Sequence, residues 1–180
     1  EMDADIRKVI MEISAKRLGA TAVMNNGQMI GIITDGDLRR MLEKNDHITG
    51  LRKITDFIHA HGAVAGIQLA HAGRKSSCAV PWEGGKQLHE EQGGWQTLAP
   101  SSLPFNADDR IPQSLDETGI RSIIVKFKDA AQRALEAGFK VAEIHSAHGY
   151  LLFEFLSPLT NQRTDQYGGS FENRTRLLLQ

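Results

Sequence analysis

Two histidines and a tyrosine follow one short apolar segment and are the residues best suited to chemistry. Residues 141–144 (VAEI) lead directly into His145, His148 and Tyr150. A strand whose C-terminal end carries titratable side chains is typical of the active site of a parallel α/β barrel. Because His145 and His148 are three residues apart, they would point to opposite faces of a continuing strand. We therefore expect the backbone to bend at the strand end, where Gly149 permits a turn.

A metal site is the alternative interpretation of the two imidazoles, with Glu143 as a neighbouring carboxylate. The spacing is not that of a His-Glu-x-x-His motif, and no further ligand is obvious in the sequence. We therefore predict no metal centre.

A second strand and its preceding helix are expected to lie beside this strand end. Residues 63–69 are nearly all apolar, which is typical of a strand covered on both faces. Residues 51–60 have helical periodicity, and Thr49 is the predicted N-cap. Considered alone, Gln68 near the end of the apolar strand would be a hydrogen-bonded core amide.

A longer helix is predicted between the two strands. It would begin at Ser114 or Asp116, with Glu117 completing a capping box to Ser114, and end at Gly138. Its predicted inward face consists of Ile123, Ile124, Phe127, Ala130, Ala131, Ala134 and Leu135. The alternation of strand and helix over this part of the chain indicates parallel pairing with right-handed crossovers.

The segment between the first strand and this helix, residues 71–113, has no sustained periodicity. A loop of this length inside a compact domain usually has a function or a small substructure of its own. We expect Trp82 and Trp95 to pack it against the protein. Ser170 is predicted to begin a last helix that continues to Leu179.

Residues 3–45 predict a separate α-β-β-α arrangement. Two short apolar runs flank residues 25–27 (NNG), which is a strong signal for a β-hairpin. A helix precedes the hairpin, and Asp35 would cap a second helix after it. The short polar segment at residues 46–50 is the predicted junction, so that residues 1–46 and 47–180 form two domains.

Four segments of the second domain carry a family resemblance. They are residues 66–75 (GIQLAHAGRK), 99–101 (APS), 145–150 (HSAHGY) and 163–173 (RTDQYGGSFEN). Together they resemble the Old Yellow Enzyme family of FMN-dependent ene-reductases, in particular its xenobiotic reductase-like branch. The resemblance runs from about residue 51 to residue 180 and implies an α/β fold that is part of a (β/α)8 barrel.

The resemblance implies roles for four side chains. In such ene-reductases, hydride passes from reduced flavin to the β-carbon of an activated alkene, and a protein acid protonates the α-carbon. His145 and His148 match the hydrogen-bond donors that polarise the substrate carbonyl. Tyr150 matches the proton donor, because a phenol with an ordinary pKa of about 10 keeps its proton at neutral pH. Gln68 matches the amide that pairs with the polar edge of the flavin, since an amide both donates and accepts.

Other motif residues are expected to support the site rather than react. His71 and Arg74 would organise the strand end and the following loop. Arg163, Asp165 and Tyr167 would tie down the loop before the last helix.

The length of the chain argues against a complete enzyme. A full eightfold barrel takes roughly 250 residues, whereas the second domain, residues 47–180, has 134 residues. The flavin-lining first strand, the middle-strand arginine and the phosphate-binding loops of the resembling family are not recognisable. Because FMN is anchored largely through its phosphate, we expect no tightly bound FMN and little or no catalytic activity.

The first domain resembles one CBS repeat of an arabinose-5-phosphate isomerase, over about residues 3–45. The matching segments are residues 16–19 (KRLG) and 31–40 (GIITDGDLRR). The resemblance implies that Thr34 and Asp37 contact the phosphate and ribose of an adenine nucleotide. Because CBS sites normally form between two repeats and only one is present, we favour a structural role for both residues. The whole chain thus resembles a chimera of two unrelated halves.

The composition of the chain limits the classes of function that are possible. The net charge of -1 gives no support for binding to nucleic acid or an anionic membrane, and no run approaches the roughly 20 apolar residues of a membrane span. The N-terminus lacks the features of a signal peptide. The single cysteine, Cys78, excludes an internal disulfide and suits a reducing compartment, so we expect a cytoplasmic protein.

Three functional hypotheses follow. The chain is a remnant of an FMN-dependent NAD(P)H oxidoreductase, an adenine-nucleotide-binding CBS module, or a folded chimera without a selected biochemical function. We favour the third as its present state and the first as its ancestry. The open strand edges are expected to be covered by the hairpin or by a second copy, which favours a homodimer.

Overall fold

The computed structural model describes the backbone of residues 20–25, 28–34 and 46–180, and side chains from residue 48 onward. The chain divides into two compact units, residues 1–67 with 129–142 and residues 68–128 with 143–180. The two helices predicted on either side of the hairpin, together with Asp37, lie outside the described residues. In the part of the chain that is described, none of the helices has both the length and the apolar character needed to cross a membrane.

The predicted hairpin is confirmed. Strands β1 (Ala20–Asn25) and β2 (Gln28–Thr34) pair in the antiparallel direction. Asn25 pairs with Gln28, as the two-residue Asn-Gly connection requires.

Helix α1 (Asp46–Ala60) starts earlier than predicted. The expected N-cap at Thr49 is wrong, because that residue lies inside the helix, and so does the whole segment proposed as the junction. Asp is itself a favoured residue at a helix start, and nothing in residues 46–50 interrupts the helical backbone. On the buried side of α1, the Thr55 hydroxyl donates to the carbonyl oxygens of Ala137 at 2.6 Å and Arg52 at 3.0 Å.

Strands β3 (Gly66–Leu69) and β6 (Val141–Ile144) pair with each other, and helix α2 (Glu117–Glu136) lies between them in the chain. The backbone N–H of Lys140 donates to Ala65, and that of His145 donates to Leu69. Both bonds advance in the same direction along the two strands, so the predicted parallel pairing is confirmed.

The start of α2 decides between the two predicted caps. The Asp116 carboxylate accepts a hydrogen bond from the Gly119 backbone N–H at 2.7 Å, so Asp116 is the N-cap. The capping box to Ser114 is wrong, because the Ser114 hydroxyl donates to the Pro100 carbonyl at 2.8 Å. On the helix itself, Ile123 and Ala134 are buried as expected, but Leu135 is exposed.

The expectation that the strand after α1 is covered on both faces is wrong. Val64 and Gln68 are exposed, while Ala65 and Leu69 are buried. All four residues of β6 are exposed as well. In a complete barrel the inner faces of the strands are filled by side chains from neighbouring strands. Among the described residues, only β3 and β6 form this sheet, so their inner faces remain open.

The core of the second unit lies beneath the strand-end loop. It combines residues from α2 with residues from helices α3 (Leu151–Leu156) and α4 (Phe171–Leu179). The predicted start of α4 is confirmed, since the Ser170 hydroxyl accepts a hydrogen bond from the Asn173 N–H at 3.2 Å. Helix α3 was not predicted. The buried core consists of Leu115, Ile120, Ile123, Leu151, Leu152, Phe155, Tyr167 and Leu177.

The long segment over residues 71–113 has its own substructure, as predicted. It contains 3-10 turns at Gly73–Lys75, Pro81–Glu83 and Glu90–Gln92. Strands β4 (Leu98–Ala99) and β5 (Gln113–Ser114) form a short parallel pair within it.

Polar contacts, rather than the two tryptophans, hold this segment together. Trp82 and Trp95 are 62% and 51% exposed, so the expectation that they pack the loop is wrong. The Gln87 amide donates to the backbone of Arg74 and Ser76 and accepts from that of Arg110. Because such bonds satisfy loop backbone groups directly, the segment is ordered without burying its largest side chains.

Candidate active site

The backbone turns sharply where β6 ends. His145 is buried, and both His148 (φ 57°) and Gly149 (φ 69°) adopt the left-handed conformation. The predicted bend at Gly149 is confirmed, and it begins one residue earlier. A left-handed histidine is uncommon, so the surrounding structure must hold His148 in place.

This turn brings the three predicted side chains into one cluster. The ring centroid of His145 lies 5.0 Å from that of His148 and 5.1 Å from that of Tyr150, and the rings meet edge to face. The rings of His148 and Tyr150 are 6.4 Å apart. His148 is exposed and Tyr150 half-buried. Two imidazoles and a phenol therefore converge on one accessible place, where they can donate hydrogen bonds to a single polar ligand.

Gln68 lies on the exposed face of β3 and is paired across the sheet. Its amide Nε2 donates to the Glu143 carboxylate at 3.0 Å. A carboxylate only accepts hydrogen bonds, so the amide nitrogen must face Glu143 and the carbonyl oxygen is left to accept from a ligand. The interpretation of Gln68 as a core amide is wrong, because the residue is exposed.

The Gln68 pairing also bears on the metal alternative. Glu143 is engaged with Gln68. Among the residues that the structure describes, no three His, Cys, Asp or Glu side chains are grouped so that they could hold a metal ion.

Lys75 belongs to the site, although its sequence context did not indicate it. Its ammonium group donates to the backbone carbonyl of His148 at 3.0 Å. The same nitrogen lies 5.8 Å from the centroid of the Tyr150 ring and 4.6 Å from that of Phe105. A lysine in a glycine-containing loop has no local signature, and only the folded turn shows that it braces the left-handed His148.

The turn that carries Lys75 is organised by His71 and Arg74, as predicted. The His71 Nδ1 accepts a hydrogen bond from the Gly73 N–H at 3.0 Å. Burial, followed by the positive charge of Lys126, lowers the pKa of His71 to about 4, so the imidazole is neutral at physiological pH. The Arg74 guanidinium donates to the carbonyls of Leu103 and Pro104.

Glu154 is the second residue that sequence reasoning missed. It is completely buried in α3, and its Oε1 accepts a hydrogen bond from the Arg74 backbone N–H at 3.0 Å. Its Oε2 is buried with no hydrogen-bond partner among the described residues. Burial raises the pKa of this carboxyl to about 7, although the Arg74 N–H and the charges of Arg74 and Lys75 oppose the shift.

A second polar network supports the loop before α4. Arg163 forms an ion pair with Asp165 and donates to the carbonyls of Leu115 and Pro100. The hydrogen bond from Arg163 holds the pKa of Asp165 below its usual range. These contacts confirm that Arg163, Asp165 and the buried Tyr167 support the structure.

Thr34, the predicted nucleotide contact of the first domain, lies at the end of β2 and pairs with Ala20. Its proposed companion Asp37 lies outside the described residues. A nucleotide site at these two residues therefore stays a prediction.

Comparisons with known proteins show which family the chain is similar to. The profile of the NADH:flavin oxidoreductase / NADH oxidase family matches residues 16–180. The NADH:flavin oxidoreductase FG08077 of Gibberella zeae is 46% identical over 165 residues, which cover 89% of this chain and 38% of that protein. An NADPH dehydrogenase of Bacillus velezensis is 43% identical over 173 residues, which cover 96% of this chain and 45% of that protein.

Solved structures show the same relationship. Morphinone reductase superposes with a TM-score of 0.64 at 34% identity, covering 76% of this chain and 38% of that one. Histamine dehydrogenase from Rhizobium sp. 4-9 gives a TM-score of 0.60 at 40% identity and covers 75% of this chain and 20% of that one. The chain therefore spans less than half the length of these relatives. The family match begins inside the segment that resembles a CBS repeat, and the chimeric origin of that segment stays a prediction.

Proposed function

Because the chain belongs to the NADH:flavin oxidoreductase / NADH oxidase family, we propose that it carries the substrate end of an FMN-dependent NAD(P)H oxidoreductase of the ene-reductase type. The observation that carries the proposal is the convergence of His145, His148 and Tyr150 at the end of β6. Two hydrogen-bond donors and a proton donor within one cluster are what the reduction of an activated alkene requires.

Each side chain has a separate task in this chemistry. His145 and His148 donate hydrogen bonds to the substrate carbonyl oxygen and stabilise the negative charge that develops there. Tyr150 donates its phenolic proton to the α-carbon. When it is bound, reduced FMN supplies the hydride for the β-carbon. The buried position of His145 fixes one donor, and the Lys75 contact to the His148 carbonyl fixes the backbone of the other.

The described residues fit one part of FMN and not all of it. Gln68 offers a carbonyl oxygen, oriented by Glu143, that suits the N–H of the polar flavin edge. Phosphate is normally held by backbone N–H groups at a helix N-terminus, and no motif for such a site was recognised in the sequence. We therefore propose that this chain alone holds FMN weakly and has little or no catalytic activity.

A titration with FMN tests this proposal. We expect no stoichiometric complex when the purified chain is mixed with FMN and separated from free flavin, because Gln68 alone cannot replace the missing contacts. The measurement is the visible absorption spectrum of the protein fraction, with Gln68→Leu as a matched control. A yellow, stoichiometric complex that oxidises NADPH would show that the chain binds FMN and is catalytically competent by itself.

The CBS resemblance supports a second candidate function, the binding of an adenine nucleotide through Thr34 and Asp37. It is supported by the β1–β2 hairpin, which was predicted at this place in the sequence. Calorimetry with AMP and ATP, repeated on Asp37→Ala, tests it. Heat that is lost in the variant supports the site, and no heat with either nucleotide removes it. The same outcome, together with cooperative unfolding and no FMN complex, favours a folded chimera without a selected function.

We also propose that a second copy of the chain covers the open faces of β3 and β6. Val141 is 54% exposed and Ile144 is 43% exposed, so apolar surface of the sheet faces solvent in this chain. A measurement of mass in solution distinguishes a homodimer from a monomer.

A further inference from the structure

A buried carboxyl group lies directly behind the turn that braces the site. Glu154 follows Tyr150 by one helical turn and has no exposed surface. Its Oε1 accepts a hydrogen bond from the Arg74 N–H at 3.0 Å. Gly73 packs against this carboxyl group so closely that a Cβ atom at Gly73 would overlap Oε1 of Glu154 and lie 2.7 Å from its Cδ. The carboxyl group is therefore enclosed by the turn Gly73–Lys75.

The same turn reaches the cluster of rings on its other side. Lys75 donates to the His148 carbonyl at 3.0 Å and lies 5.8 Å from the Tyr150 ring centroid. A second bond, from the Leu151 N–H to the His71 carbonyl at 2.9 Å, joins the start of α3 to the segment just before the turn. Glu154 is thus separated from the left-handed His148 by a single short segment of backbone.

We propose that Glu154 is a positioning residue, whose protonation state determines, through the turn Gly73–Lys75, whether Lys75 stays at the His148 carbonyl and the Tyr150 ring. Its consequence for catalysis rests on the proposed function of His148 and Tyr150. The placement of Lys75 itself is a property of the chain without ligand.

The charge of Glu154 determines how strongly Lys75 is held at the ring cluster. The charged groups that act on the carboxyl are Arg74 and Lys75, both from the turn. Burial raises the pKa of Glu154 to about 7, so the group changes from neutral to negative across the physiological range. The negative form attracts the Lys75 ammonium away from the His148 carbonyl, while the neutral form leaves it there.

Nuclear magnetic resonance on the full chain without ligand tests the proposal. The Glu154 carboxyl carbon, the Lys75 ε-carbon and the Tyr150 ring are followed as the pH is varied through 7. We expect the signals of Lys75 and Tyr150 to show a component with the same midpoint as the Glu154 carboxyl. All measurements use the His148→Asn background, which removes the exposed imidazole beside the Tyr150 ring. Lys75 contacts only the backbone carbonyl of residue 148, and Asn tolerates a left-handed conformation.

Two variants decide the outcome. Glu154→Gln keeps the shape of the side chain and should abolish the shared component at Lys75 and Tyr150, whereas Glu172→Gln, at an exposed carboxyl on α4, should leave it. If Glu154→Gln does not fold, Lys75→Met is decisive: the Tyr150 component should disappear while Glu154 still titrates. A Tyr150 component that persists in either variant overturns the proposal. Because no flavin is present, this failure is distinct from a failure of the proposed function.

Discussion

Gly73→Ala is expected to lower the free energy of unfolding by about 3 kcal/mol, since two costs of roughly 1–2 and 1–3 kcal/mol add. The first is the left-handed conformation of Gly73, at φ 60°, which disfavours any residue with a Cβ atom. The second is the overlap of that Cβ with the Glu154 carboxyl, which is fully buried, so that the side chain must repack inside the protein. Urea denaturation, followed by signals from residues 143–180, measures the loss.

Gly169→Ala is the matched control. Gly169 is also left-handed, at φ 77°, but nothing lies within 4 Å of a Cβ placed there. Gly169→Ala should therefore lower the free energy of unfolding only through the conformational cost, by about 1 kcal/mol. The difference between the two variants isolates the contact with Glu154. Equal losses would contradict the close packing of the turn against the carboxyl.

The convergence of the two imidazoles and the phenol was predictable from residues 141–150 alone. A short apolar strand, titratable residues at its end and a glycine between them require a bend, and the structure has one. The hairpin and the Ser170 cap were predictable for the same reason. In each case, neighbours in sequence determine the geometry through backbone conformations that few residues can adopt.

Lys75 and Glu154 could not be predicted, because their partners lie far along the chain. The bond from Lys75 to His148 joins residues 73 positions apart, and that from Arg74 to Glu154 spans 80. Helix α3, which buries Glu154, has only six residues and is too short to show a helical period. A glutamate in an apolar helix was the available signal, since an unpaired charge is rarely fully buried.

The predictions that residues 63–69 and the two tryptophans are buried were wrong for a different reason. An apolar run such as residues 63–69 predicts burial on the assumption that covering elements are present. Here the β3–β6 sheet has an open face in the described structure, and Trp82 and Trp95 face solvent. An apolar pattern predicts which faces of a strand can be buried. Whether they are buried depends on the other elements that pack against the strand.

The stability of the chain is expected to contain two opposite pH dependences from His71 and Glu154. The folded pKa of His71 is lowered to about 4, so between that value and its ordinary pKa of 6.5 the unfolded chain binds one more proton. Its contribution to stability therefore rises with pH. The folded pKa of Glu154 is raised from 4.5 to about 7, so here the folded chain binds the extra proton, and its contribution falls as pH rises.

The two contributions should cancel between the lower limit set by Glu154, pH 4.5, and the upper limit set by His71, pH 6.5. Each corresponds to one proton, or about 1.4 kcal/mol per pH unit. Removing either ionisable group should leave the pH dependence of stability that the other group contributes. Relative to the wild-type chain, Glu154→Gln is expected to gain stability as pH rises through this window, and His71→Asn is expected to lose it. The Asn carbonyl can still accept the bond from the Gly73 N–H that the imidazole accepts now.

Differences between each variant and the wild-type chain remove the contributions of other groups, including Asp165, whose lowered pKa acts at more acidic pH. Urea denaturation at several pH values inside the window measures the two slopes, and Glu172→Gln, at an exposed carboxyl, is the control substitution. Slopes of the same sign in both variants would contradict a folded state in which Glu154 is protonated and His71 is not. Opposite slopes would establish that, in this window, folding releases a proton from His71 and takes one up at Glu154, the two side chains that accept hydrogen bonds from the backbone of the turn Gly73–Lys75.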